Sequence, residues 1–206
     1  MIRKFLQNCR KPQGRLGRFV AQGMNSGHAS ISAWGLTHIS PAKDASVLDI
    51  GCGGGANLKR LLQICPDGHV TGIDYSEESV AVSRKVNAAE LGKRCDIVQG
   101  SVSALPFDDN AFDAVIAFET IYFWPNPGTD FREVCRVLRP GGVFLICNEA
   151  HDPSNDTYTS KIEGMRIYSE SMLAELLSGL GFKITGVDTH KRGWLCLCAT
   201  NNESTS

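Results

Sequence analysis

The sequence predicts an α/β fold: a Rossmann-like, doubly wound sheet of seven strands, mostly parallel, with an antiparallel C-terminal hairpin and helices on both faces. Three observations predict it. From Ser46 onward, short apolar runs alternate with segments of helical periodicity. A glycine-rich turn, Gly51 to Gly55, joins the first such run to the first such helix. The last two runs are separated by only a short polar loop, so they pair antiparallel rather than through a crossover.

Taken in order, residues 1–43 read as a helical lead-in or cap. Leu16, Phe19, Val20, Gly23 and Met24 share one helical face, and Ile31, Trp34, Gly35 and His38 share another, with Asn25-Ser26-Gly27 as the break between them. Pro41 ends the second helix. Residues 44–200 form the main domain. Its first strand is Ser46 to Ile50, and the helix after the glycines buries Leu58, Leu61, Leu62 and Cys65 at helical spacing. His69 to Ile73 is the second strand, ending at Asp74. Ser76 caps the following helix, with Glu77 and Glu78 in the first turn where the helix dipole favours acids. Cys95 to Gln99 is the third strand. Ala111 to Phe118 is a nearly all-apolar fourth strand and therefore central. A helix from Thr129 to Leu138 buries Phe131, Val134 and Cys135, and Arg139-Pro140-Gly141-Gly142 turns into the fifth strand, Val143 to Cys147. A helix from Ser169 precedes the closing strands, Lys183 to Asp188 and Trp194 to Ala199. Residues 201–206 read as a polar, frayed tail.

Composition narrows the function. With 206 residues, the chain has enough length for one such domain and too little for two. An apolar fraction of 42% without a run of membrane-spanning length points to a cytoplasmic protein with no membrane span. A net charge of −1 gives no general attraction to nucleic acid, and none is expected as a partner. The charge is unevenly spread: no acid precedes Asp44, whereas Arg3, Lys4, Arg10, Lys11, Arg15, Arg18 and Lys43 are basic. That start reads as a solvated helical face, with a transit peptide as the alternative. The 8 cysteines lie mostly in apolar runs, so they read as free core thiols, not as a disulfide framework or a metal site.

The glycine turn reads in two ways. From Gly51, GCGGGA fits the dinucleotide pattern G-x-G-x-x-G/A, which on its own is weak. From Asp49, the same stretch is D-x-G-x-G-x-G. In order along the chain stand VLDIGCGGG, then GID, then QGSVSALPF, then FDAVIAFETIYFW with FREVCRVLRPGG. Together, over about Asp44 to Thr200, these resemble the class I S-adenosylmethionine (SAM) methyltransferases, nearest the small-molecule group typified by ubiquinone and menaquinone biosynthesis.

The resemblance implies a SAM-dependent methyltransferase, with S-adenosylhomocysteine as product and a small-molecule methyl acceptor. It implies a cofactor site made of Asp49, Gly51, Cys52, Gly53, Gly55, Asn57, Asp74, Tyr75, Ser101, Val102 and Phe118. Backbone amides of Gly51 to Gly55 would face the amino-acid end and Asp49 its ammonium, a group that needs the acceptor a pyrophosphate would repel. Asp74 would take the ribose hydroxyls and Tyr75 would lie beside the adenine. Relatives often carry Asp-Ala where this chain has Ser101-Val102, which weakens that one contact. An NAD(P)-binding oxidoreductase and a SAM-binding protein without turnover are the alternatives. Methyl transfer is an in-line displacement, in which the protein chiefly positions the reactants and excludes water. A hydroxyl acceptor would need a base, for which His28, Glu119, Tyr122, Glu149 and His151 are the candidates. Tyr122, Phe123 and Trp124 can wall an apolar acceptor site. Neither the acceptor atom nor the oligomeric state is legible in the sequence.

Overall fold

A computed structural model of the chain describes Arg10 and residues 12–202. The basic residues Arg3, Lys4 and Lys11, and tail residues 203–206, lie outside the described part.

Helices α1 (Gly14–Gly27) and α2 (Ala29–Gly35) and a 3-10 turn (Leu36–His38) precede the sheet. The sheet and its helices then follow as β1 (Ser46–Ile50), α3 (Ala56–Ile64), β2 (His69–Asp74), α4 (Glu77–Val86), β3 (Cys95–Gln99) and β4 (Phe112–Phe118). A 3-10 turn (Ile121–Phe123), α5 (Pro127–Val137), β5 (Leu138–Asn148), α6 (Glu170–Ser178), β6 (Phe182–Thr189) and β7 (Leu195–Asn201) complete the chain. The 7 strands lie in the order β3-β2-β1-β4-β5-β7-β6. Pairing is parallel from β3 through β5, while β7 runs antiparallel between β5 and β6. The order reverses beside β1, which leaves the crevice at the carboxyl ends of β1, β2 and β4 open to a ligand.

Alternation along the central strands feeds two cores. Val115 and Ala117 of β4 face the layer of α5 and α6, with Phe131, Val134, Leu173 and Leu177. Ala114, Ile116 and Phe118 face the opposite layer, with Ile31 of α2 and Leu58 and Leu61 of α3. Ser76 caps α4 as its sequence position implies, accepting from the Ser79 amide at 3.2 Å. The 7 described cysteines are buried, as small core residues.

Three expectations need correction. The apolar face of α1 is only partly buried: Val20 is covered, with Ala21 beside it, while Leu16 is 41% and Phe19 69% exposed. The helix packs on α4, where Arg18 pairs with Glu78, and its Ala21 carbonyl lies close beside Gly54 of the glycine turn. Second, α1 runs through Asn25-Ser26-Gly27 and breaks one residue later, at His28. Third, Asn201 is not part of a frayed tail. It ends β7, 2% exposed, and its amide donates to the carbonyls of Cys135 at 3.1 Å and Leu138 at 2.8 Å.

Candidate active site

A cavity of about 250 Å³ opens at the carboxyl ends of β1, β2 and β4. Asp49, Gly51, Cys52, Gly53 and Asn57 line it from the glycine turn and the start of α3. Asp74 and Tyr75 line it from the end of β2, Ser101 and Val102 from the turn after β3, and Phe118 and Glu119 from the end of β4. Gly55 is outside. Its α-carbon faces Ser83 and Asn87 of α4, so this glycine serves the packing of α3 on α4.

The glycine turn differs from the expectation in what its amides do. Gly51 N–H and Cys52 N–H both donate to the Ile73 carbonyl, at 2.8 and 3.1 Å. Gly53 N–H donates to Asp74 Oδ2 at 2.9 Å, and Gly55 N–H to the Cys52 carbonyl at 2.9 Å. These four donors are engaged within the protein, so the turn supplies shape more than hydrogen bonds. Gly51 has φ +74°, and a side chain there would also overlap Thr120. At Gly54 the missing side chain admits α1: Asn25 Nδ2 donates to the Gly54 carbonyl at 3.0 Å.

Acid groups dominate the electrostatics. Asp49 is 2% exposed and its Oδ2 has no hydrogen-bond partner. Burial, with Asp74 adding repulsion, pushes its carboxyl up to about 8. Asp74 is raised by burial too, against the amides of Ser76 (2.8 Å) and Gly53 that favour its charged form. Glu119 sits at φ +56°, a conformation costly for any residue that carries a Cβ and held here by its neighbours. Its Oε1 accepts from the Glu149 amide and from the Tyr122 hydroxyl at 3.2 Å, while the Tyr122 hydroxyl accepts from the Ala150 amide at 2.9 Å. Burial pushes Glu119 up to about 8.

Of the candidate bases, His28 and Glu119 line the cavity, and the other three do not. Tyr122 is buried behind Glu119 as its anchor, Glu149 is exposed at the end of β5, and His151 is in the turn that follows. Burial lowers the His28 imidazole, with Glu149 acting in the opposite sense. Phe123 and Trp124 line the mouth as apolar walls.

The sequence did not mark Arg10, Pro12, Asn25 or Ser32 as lining residues, yet they line the cavity. They come from the lead-in, which folds over the glycine turn. Tyr75 Oη donates to the Arg10 carbonyl, Ser76 Oγ donates to the Pro12 carbonyl at 2.7 Å, and Arg10 Nη1 donates to the Glu163 carbonyl at 2.9 Å. In the sequence Asn25 stands in a helix-breaking run, and no local pattern distinguishes that from a side chain reaching across to another element.

Fold and cavity together define a nucleoside-binding α/β domain with carboxylates where a phosphate-binding loop would present amides. Residues 48–146 match the family model described as a methyltransferase domain. The chain is 33% identical over 117 residues to cycloartenol-C-24-methyltransferase 1 of Oryza sativa subsp. japonica, covering 54% of this chain and 34% of that protein. It is 38% identical over 114 residues to demethylmenaquinone methyltransferase of Listeria welshimeri, covering 54% and 48%. The chain thus spans half or less of the length of these curated relatives. A SAM-dependent methyltransferase structure from Aquifex aeolicus superposes with a TM-score of 0.74 at 20% identity, covering 89% of this chain and 98% of that one. Residues 48–146 thus carry the match to a SAM-dependent methyltransferase domain, on a fold of the class I type.

SAM, the cofactor of that family, fits the residues present. Its ammonium and sulfonium suit a cavity with Asp49, Asp74 and Glu119 on its walls, and the orphaned Asp49 Oδ2 is an acceptor awaiting a donor. Among the described residues no helix is long and apolar enough to cross a membrane.

Proposed function

We propose that the chain catalyses methyl transfer from SAM to a small-molecule acceptor, with residues 12–43 as a cap on a catalytic domain of residues 44–201. The buried, unpartnered carboxylate of Asp49 carries this reading. Leaving such a group without a partner costs about 1–3 kcal/mol, more for a charge, and a cationic ligand removes that cost. A pyrophosphate would meet the same carboxylates as repulsion, which argues against the dinucleotide reading of the turn. When bound, SAM supplies the activated methyl group. The chain's part is to bind and orient: Asp49 toward the ammonium, Asp74 toward the ribose hydroxyls, Tyr75, Ser101 and Val102 around the adenine, Phe118 and Glu119 at the exit toward the acceptor. Gly51, Cys52, Gly53 and Asn57 shape the floor. Relatives whose names specify sterol and menaquinone substrates support a small organic acceptor for this chain.

Calorimetry with SAM, S-adenosylhomocysteine and NAD tests the reading; tight NAD binding without SAM binding would sink it, and SAM binding with no turnover of any acceptor would leave a sensor. Asp74→Ala is expected to weaken SAM binding more than tenfold. The charge-assisted contact is worth about 1.5–3 kcal/mol, and about 1.4 kcal/mol is tenfold. Unchanged affinity would mean that the end of β2 does not hold the ribose.

A pH dependence follows from the raised carboxyls. In the ligand-free protein Asp49 and Glu119 hold protons up to about 8. A cationic ligand favours their ionised forms, so binding at neutral pH releases protons, and affinity rises as the pH climbs toward about 8. Calorimetry at neutral pH in two buffers of different ionisation enthalpy measures the release. Identical heats in both buffers would contradict it.

A further inference from the structure

Among the described residues the cavity wall carries one arginine, Arg10, and no lysine. The Arg10 guanidinium meets neutral groups: Nη1 donates to the Glu163 carbonyl at 2.9 Å, and the Tyr75 hydroxyl lies beside it. None of the ion pairs among the described residues includes it. A guanidinium presents five donors in a planar fork, so most of this one's capacity is unspent at the cavity wall. Arginine forks of this kind match the two oxygens of a carboxylate.

Two other segments build the seat of this side chain. Tyr75, after β2, holds the Arg10 carbonyl, and the turn of residues 163–166 holds the guanidinium. Gly164 in that turn has φ +72°, and a side chain there would come within 3.0 Å of Arg10 Nη1, so glycine lets the guanidinium lie against the turn. The Arg166 amide donates to the Tyr122 carbonyl at 2.9 Å, which ties the same turn to the segment after β4. Phe123 and Trp124 come next in that segment and line the cavity. Trp124 is 5% exposed, with its ring 4.9 Å from that of Phe131, so the apolar wall is fixed. A cation and an apolar wall are thus joined through one turn. The acids nearby do not cancel the cation. Asp74 accepts from the amides of Gly53 and Ser76, and burial raises Glu119 to about 8, so at neutral pH it meets an anion as a neutral acid.

Resting on the methyltransferase reading, we infer that Arg10 sets the specificity of the acceptor site. It takes a carboxylate on the acceptor in a two-point ion pair, while the acceptor's apolar body seats on Phe123 and Trp124. The carboxylate is the handle by which the molecule is held, and the pair orients the acceptor without joining in the methyl transfer. The cofactor carries a carboxylate too, but that group belongs beside its ammonium, at the Asp49 end. Arg10 is tied instead to Tyr75 and to the turn that reaches Tyr122.

The test is calorimetric binding of octanoate, 4-phenylbutyrate and 2-naphthoate, each against its primary amide, to the full chain loaded with S-adenosylhomocysteine. At least one carboxylate should bind at least tenfold more tightly than its amide. Arg10→Gln should weaken that carboxylate at least tenfold and its amide less than threefold. Arg10→Lys, which keeps the charge but not the fork, should fall between the two. No carboxylate preference in the wild type, or a preference that survives in Arg10→Gln, overturns the inference. So does a loss of S-adenosylhomocysteine binding in Arg10→Gln that 5′-methylthioadenosine does not share, because the guanidinium would then serve the cofactor's own carboxylate. Titration of the wild type with S-adenosylhomocysteine separates the two levels. If it does not bind, the methyltransferase reading has failed; if it binds and the carboxylates show no preference, only this inference has.

Discussion

Asp49→Asn is expected to make the ligand-free protein more stable and to weaken SAM binding at least a hundredfold. Asp49 titrates near 3.8 in an unfolded chain and at about 8 in the folded one. A carboxyl raised on folding contributes stability that is fully present below its unfolded value and lost as the pH rises through the folded value. The wild-type protein should thus lose stability across the window from about 4 to about 8, and the amide, which does not ionise, should not. At the top of that window the variant should gain more than about 1 kcal/mol, the scale of a relieved buried polar mismatch. The same change removes the charge that meets the cofactor's ammonium in a site largely closed to water, where a hundredfold corresponds to about 2.7 kcal/mol. Thermal unfolding without ligand at several pH values and calorimetry with SAM measure both effects. A variant that is no more stable at high pH, or that binds SAM within threefold of wild type, would show Asp49 to be a scaffold for the glycine turn and nothing more. A gain in one property at the expense of the other is the usual mark of a site kept strained for its ligand.

Removal of residues 2–28 is expected to leave a folded domain and to lower methyl transfer at least a hundredfold. Val20 and Ala21 are buried by α1 but belong to neither of the two hydrophobic cores, so the sheet and its helices keep their packing without them. What disappears is the cover: the Asn25 contact with Gly54, the Pro12 and Arg10 contacts with Ser76 and Tyr75, and His28 itself. Exposure of the cofactor to water and loss of groups that position the reactants each act on the proposed reacting centre, and misplacement of a reactant costs about 10²-fold. Circular dichroism and thermal melting establish the fold, and turnover establishes the loss. Asn25→Ala gives the graded version: a loss of cofactor protection against hydrogen exchange around Gly54, with the fold untouched. Full-length turnover in the truncated protein would reduce the cap to a structural flank.

The sequence made the sheet legible because its signals are local and redundant. Strand and helix periodicity, the Ser76 cap and the short final loop each follow from a few consecutive residues, and the core faces of β4 follow from simple alternation. Asp49, Asp74 and the turn glycines were legible for the same reason, since one strand–turn–helix unit carries them. Their hydrogen bonds were not. That Gly51, Cys52 and Gly53 spend their amides on Ile73 and Asp74 depends on how β1 and β2 lie side by side. Gly55 looked like part of the binding turn until α4 was seen against it.

The cap shows the boundary between the two kinds of information. From its residues alone α1 has an apolar stripe, and burying that stripe is the favourable choice for an isolated amphipathic helix. The fold buries only Val20 of that stripe together with Ala21 and leaves Leu16 and Phe19 exposed, with the helix backbone close against Gly54 and Asn25 and His28 over the cavity. Sequence by itself determined which segments form the sheet, which turn opens the cavity and which acids stand at its rim, because those depend on neighbours along the chain. Tertiary structure alone decided which of the candidate bases meet, which face of α1 is covered and which carboxylate is left without a partner. Those outcomes depend on contacts between residues far apart in sequence, and burial, which sets both the cost of an unpaired charge and the state of His28, exists only once they form.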